Sequence, residues 1–104
     1  MSTVRVNFNL DRKTYDKMRG AVNTSLRSAW IRENVRKALE TPKLFDNIVG
    51  TRSEVQTNYY SSKTEARCTA NIDVHLYNSV SRRYKQVGVF ITLLVNHLLK
   101  EEAK

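Results

Sequence analysis

The chain has 104 residues, a net charge of +8 and a pI near 9.9, a length that suits one compact domain or two very small units sharing a core. Its single cysteine, Cys68, excludes an intrachain disulfide and a cysteine-based zinc site, and a reducing, cytoplasmic setting fits it best. The basic excess points to a polyanion, nucleic acid before acidic membrane or protein. It is uneven, with nine Lys/Arg against four Asp/Glu in residues 1–40, three of each in 41–65, and six against three in 66–104.

The start, Met1-Ser2-Thr3-Val4-Arg5, has no apolar run of the kind a secretory signal needs. Val4 to Leu10 then alternates apolar and polar residues, which predicts a half-buried strand with Val4, Val6, Phe8 and Leu10 inward and Arg5, Asn7 and Asn9 outward. Asp11 is a good N-cap residue, and Tyr15, Met18 and Val22 recur at helical spacing, so a first helix is expected over about 12–22. Asn23-Thr24-Ser25 breaks it. A second helix carries Trp30, Ile31, Val35, Ala38 and Leu39 on one stripe and stops before Thr41-Pro42. Residues 41–65 lose this periodicity and read as a linker, with local structure around Leu44–Val49 and Val55–Tyr60. That is long for a structureless loop inside one continuous domain, so three parts are expected: a unit over 1–40, a linker over 41–65 and a unit over 66–104.

The opening pattern returns in the third part. Arg67, Thr69 and Asn71 alternate with Cys68, Ala70 and Ile72, Asp73 stands at the N-cap position, and Leu76, Tyr77, Val80, Tyr84 and Val87 form a helical stripe. Gly88 marks a break before a more apolar helix with Phe90, Leu93, Leu94, Val95, Leu98 and Leu99. The run from Val87 to Leu99 is interrupted by Gly88, Thr92, Asn96 and His97 and is too short to span a bilayer; it reads as a buried helix, and no membrane partner is expected. A shift of 62 residues superposes Arg5 on Arg67, Asn7 on Thr69, Asn9 on Asn71, Tyr15 on Tyr77 and Met18 on Val80. The second helices align after a slip of about two, with Ser28 on Thr92, Ile31 on Val95 and Val35 on Leu99. A strand–helix–helix unit of about 40 residues cannot satisfy its strand alone, so two such units are expected to pair strands antiparallel and interlock four helices around one core.

The residues Phe8-Asn9-Leu10 and the helix Arg27-Ser28-Ala29-Trp30-Ile31-Arg32-Glu33-Asn34-Val35 resemble the ribbon–helix–helix family of repressors, which includes the Arc and methionine repressors. The likeness covers residues 4–40 and, more weakly, 66–100. Gly88 stands where the family usually has its interhelical glycine, whereas the first unit has Thr24 or Ser25 there. Tandem copies in one chain occur in relaxosome proteins of conjugative plasmids. The resemblance implies a mainly α fold with a two-stranded antiparallel β-ribbon, a single-chain tandem pseudo-dimer, whose ribbon enters the major groove. It makes Arg5, Asn7, Asn9, Arg67, Thr69 and Asn71 the base-reading residues. Their chemistry agrees, since arginine bonds guanine O6 and N7, asparagine bonds adenine N6 and N7, and a threonine methyl meets a thymine methyl. The resemblance also puts phosphates at the start of each second helix, at Ser25, Arg27 and Ser28 and at Phe90 and Thr92, where free amides and the helix dipole favour anions.

The expected partner is double-stranded DNA in the nucleoid, bound by a repressor or an accessory protein of plasmid or phage DNA, with self-association of pseudo-dimers on the DNA. No enzyme, metal or cofactor is expected. His75 and His97 lie in different elements without metal-ligand spacing, Cys68 reads as a small buried residue, the three glycines form no phosphate loop, Trp30 belongs to a core, and Tyr59-Tyr60 to a linker. Two alternatives remain open. One is a homodimer pairing two chains through Val4–Leu10, with 53–73 as a separate hairpin and a C-terminal oligomerisation helix. The other is a protein-interaction module, an antitoxin or a phage inhibitor of a host factor, docking through the apolar last helix.

Overall fold

The alternating segments form two strands of one antiparallel sheet. The computed structural model describes residues 2–52 and 65–102. In it β1 (Thr3–Asp11) pairs with β2 (Glu65–Asp73) of the same chain. Val6, Phe8 and Leu10 of β1 and Ala66, Cys68, Ala70 and Ile72 of β2 are buried, whereas Arg5, Asn7, Arg67, Thr69 and Asn71 are exposed, as period-two alternation requires. Large residues of β1 sit opposite small ones of β2: Val6 faces Ala70, Phe8 faces Cys68 and Leu10 faces Ala66. The register is symmetric about the Asn7–Thr69 pair. Advancing each partner to its counterpart in the other strand turns Arg5–Asn71 into Arg67–Asn9.

Each strand runs directly into a helix, α1 (Arg12–Ala21) after β1 and α4 (Val74–Arg83) after β2. The Asp11 carboxylate accepts the Thr14 N–H at 2.7 Å and caps α1; Asp73 stands at the equivalent place before α4 without such a bond. The two helices end alike, Val22 N–H donating to Met18 O at 2.8 Å and Tyr84 N–H to Val80 O at 2.7 Å. A single 3₁₀ turn, Thr24–Leu26, leads into α2 (Arg27–Glu40), and α5 (Val87–Glu102) is its later counterpart. These second helices cross over: α2 packs against β2, and α5 packs against β1. Ile31, Val35 and Ala38 give α2 one buried stripe. On α5 the run Phe90 to Val95 is buried all round, as befits a helix that also touches α1, α2, α3 and α4. Its polar members are satisfied: Thr14 Oγ1 donates to Asn96 Oδ1 at 3.1 Å, and Asn96 Nδ2 donates to Thr92 O at 2.8 Å.

Two expectations need correction. The local structure expected around Leu44–Val49 is a packed helix, α3 (Pro42–Gly50), so the stretch without regular structure cannot start at residue 41; Phe45 and Ile48 are buried, and Phe45 stacks on Phe90 at 4.6 Å between ring centres. Pro42 ends α2 and also starts α3, because the first helical position needs no N–H. The expectation for Val55–Tyr60 lies outside the described residues. Gly88 lies inside α5; the break is at Tyr84 to Gln86. No glycine among the described residues has a positive φ, so a special turn does not account for Gly88. A Cβ there would collide with Asn7 O, so the need is for close approach of helix to strand. Here β1 takes residues 65–73 of the same chain as its partner strand, where the homodimer alternative would pair Val4–Leu10 between chains. Phe90, Leu93, Leu94 and Leu99 of the last helix are buried in the core.

Gly88→Ala is expected to destabilise the fold by about 1–3 kcal/mol, because backbone of β1 must move to admit the methyl group. Gly20→Ala in α1, with open space around it, is expected to be neutral or stabilising by up to about 1 kcal/mol. Urea unfolding of both variants checks the pair.

Candidate nucleic-acid interface

The ribbon brings all six expected base-reading residues to one face. Running along it, the cross-strand pairs are Arg5–Asn71, Asn7–Thr69 and Asn9–Arg67. Five of these side chains are exposed and Asn9 is partly buried. With about 3.3 Å per residue, Arg5 and Asn9 lie about 13 Å apart along their strand, and the two strands are about 5 Å apart. The face therefore presents two arginines at diagonal corners, asparagines beside them, and an Asn–Thr pair at the centre. Its three middle pairs hold no carboxylate; Asp73 and Asp11 stand beyond them, and Asp11 is engaged as the cap of α1. A two-stranded ribbon of this width fits a major groove about 12 Å wide.

Helix starts flank the ribbon on both sides. On the β2 side, Ser28 Oγ accepts the Asn71 N–H at 3.2 Å. On the β1 side, Thr92 Oγ1 donates to Asn9 O at 2.8 Å, with Gly88 O 3.2 Å away. Asn9 and Asn71 are the positions that the 62-residue shift superposes, and Ser28 and Thr92 those that the slip of two superposes. Both hydroxyls tie a strand's outer edge to the second helix of the other half.

These ties correct the expectation for the second phosphate site. Phe90 is fully buried against Phe45, and its N–H donates to Gln86 O at 2.9 Å. Thr92 is buried with its hydroxyl engaged. Neither group is left for an anion. The first flank differs. Ser25 is exposed, its N–H and hydroxyl both 3.1 Å from Asn23 Oδ1. Leu26, the N-cap of α2, makes no side-chain cap bond, and Arg27 is partly buried with its guanidinium over Tyr15. Arg12 and Arg19 stand over the same Tyr15 ring. The spacing of Arg12 and Arg19 from Tyr15, three and four residues, puts those two and the tyrosine on one face of α1.

The remaining chemistry is structural. Cys68 is buried beneath the ribbon, where burial pushes its thiol up from the usual range and Arg27 pulls slightly the other way. His75 and His97 sit on α4 and α5, and no group of three or more metal-ligating side chains occurs among the described residues. No helix among them is long and apolar enough to cross a membrane. No family model, no curated protein and no solved structure matches the chain.

Thr92→Val keeps the volume but removes the hydroxyl that meets Asn9 O, and is expected to cost about 1–2 kcal/mol; Thr92→Ser should recover most of it. Thermal unfolding of the two variants side by side makes the comparison.

Proposed function

We propose that this protein binds duplex DNA sequence-specifically, laying the β1–β2 ribbon in the major groove as a tandem ribbon–helix–helix pseudo-dimer. The observation that carries the reading is the register: it sets an arginine opposite an asparagine twice, at mirrored positions on one exposed face. Arg5 and Arg67 are suited to guanine, and Asn7, Asn9 and Asn71 to adenine, each bidentate pair contributing about 1–3 kcal/mol of discrimination. Thr69, opposite Asn7, replaces an amide by a hydroxyl and a methyl, so the preferred site is a palindrome broken at its centre. The net charge of +8 supplies the sequence-independent attraction. In this reading the biological role is transcriptional repression or an accessory task on plasmid or phage DNA, in the cytoplasm, with neighbouring pseudo-dimers free to associate along the DNA.

Band-shift titration against random duplex DNA, followed by selection of preferred sites, tests this. Binding should weaken steeply between about 50 and 200 mM salt. Arg5→Ala/Asn9→Ala and Arg67→Ala/Asn71→Ala should each lose preference for one side of the selected site while unfolding normally. No binding at low salt, or full specificity in both double variants, defeats the proposal.

A further inference from the structure

The first half of the chain carries a cationic cluster that the second half lacks. The guanidinium carbons of Arg12, Arg19 and Arg27 stand 5.7, 5.7 and 5.8 Å from the centre of the single Tyr15 ring. Among the described residues, ion pairs join Arg36 to Glu33 and Glu40, further along α2, and none reaches these three arginines. The Nε of Arg27 is buried without a hydrogen-bond partner. Three like charges around one ring repel one another, and attraction to the ring face offsets this only in part. A buried donor without an acceptor adds a second unmet demand. An oxyanion among the three would meet both.

The cluster's position says which oxyanion. Ser28 follows Arg27 and holds the outer edge of β2 through Asn71, so the cluster flanks the ribbon on the β2 side. On the β1 side the matching space is filled by the start of α5, where Phe90, Ile91 and Thr92 are buried. Carried into the second half, Arg12, Arg19 and Arg27 become Val74, Ser81 and Ile91. Arg83 does not substitute for them: it donates to Leu39 O at 3.4 Å and lies over the Phe45 ring at 5.2 Å. A groove-bound ribbon has a phosphodiester backbone on each side. We propose that Arg12, Arg19 and Arg27 form a phosphodiester clamp that grips one DNA strand, with no equivalent on the other flank, so that the protein binds in one orientation even where the two half-sites match. This rests on the DNA-binding reading above.

The test uses the full chain and a selected duplex whose linkages flanking the site are made neutral methylphosphonates on one strand or the other. Arg12→Gln/Arg19→Gln removes two exposed charges, Arg12→Gln/Arg19→Gln/Arg27→Gln removes all three, and Arg82→Gln/Lys85→Gln is the control; circular dichroism checks folding. Each lost phosphate contact should lower the slope of log K against log salt by about 0.9, so the double variant should lose about 1–2 and the control almost nothing. Neutral linkages should weaken wild-type binding on one strand only, should matter less to the double variant, and should not affect the triple variant. An unchanged slope in the double variant, or equal effects on both strands, overturns the clamp and leaves the DNA reading standing. Wild-type protein that binds no DNA removes both.

Discussion

The antiparallel pairing of β1 with β2 is the constraint on which the rest of the structure depends. A strand flanked by helices, with no neighbour in its own half, leaves a row of N–H and C=O groups unpaired. Residues 65–73 supply the missing neighbour within the same chain. The register has little freedom, because a slip by one residue would turn Val6, Phe8 and Leu10 outward and put Arg5, Asn7 and Asn9 into the core. Pairing also places the two polar faces side by side, so core formation and the polar ribbon arise from one event.

Crossing of the second helices follows from the same pairing. A two-stranded ribbon has two outer edges, and α2 and α5 each cover the edge belonging to the other half, tied by Ser28 to Asn71 and by Thr92 to Asn9. The two contacts are equivalent in place and unlike in chemistry. On the β1 side the helix comes so near that only a glycine fits at position 88, and the hydroxyl donates to a carbonyl. On the β2 side a partly buried serine accepts an amide. The core is divided in the same unequal way, with bulky residues on β1, small ones on β2, and Phe45 from α3 filling the space against Phe90. The near-repeat therefore yields a nearly symmetric ribbon on an asymmetric body.

That asymmetry bears on function. The ribbon face repeats its arginine and asparagine, whereas the cationic cluster beside it does not repeat. Arg12, Arg19 and Arg27 gather on one side around Tyr15, and apolar residues of α5 occupy the other. At the corresponding positions the second half has Val74, Ser81 and Ile91, and its last helix is buried in the core. In the DNA-binding reading proposed above, readout and grip are separable: paired strands would carry the first, and one half of the helical body the second.

The amino-acid sequence by itself determined the strands, the helices that follow them, the inward and outward faces, and the 62-residue repeat, because each is a local period of two or about 3.6. Val6, Phe8 and Leu10 could face nowhere but inward once the alternation was read, and Asp11 announced the start of α1. Only the tertiary structure decided the fate of Phe90 and Thr92, of Gly88 and of residues 42–50. Phe90 and Thr92 occupy a helix start that is open on the first flank and closed on the second, a difference made by neighbours distant in sequence. Gly88 looked like a turn residue, yet what it allows is the approach of Asn7 backbone from the opposite half. The short stretch of α3 has too few turns to show its period against a polar background, and it is held by stacking of Phe45 on a residue 45 positions away. Local patterns write themselves into consecutive residues; contacts between halves do not, and those contacts separate the two flanks of the ribbon.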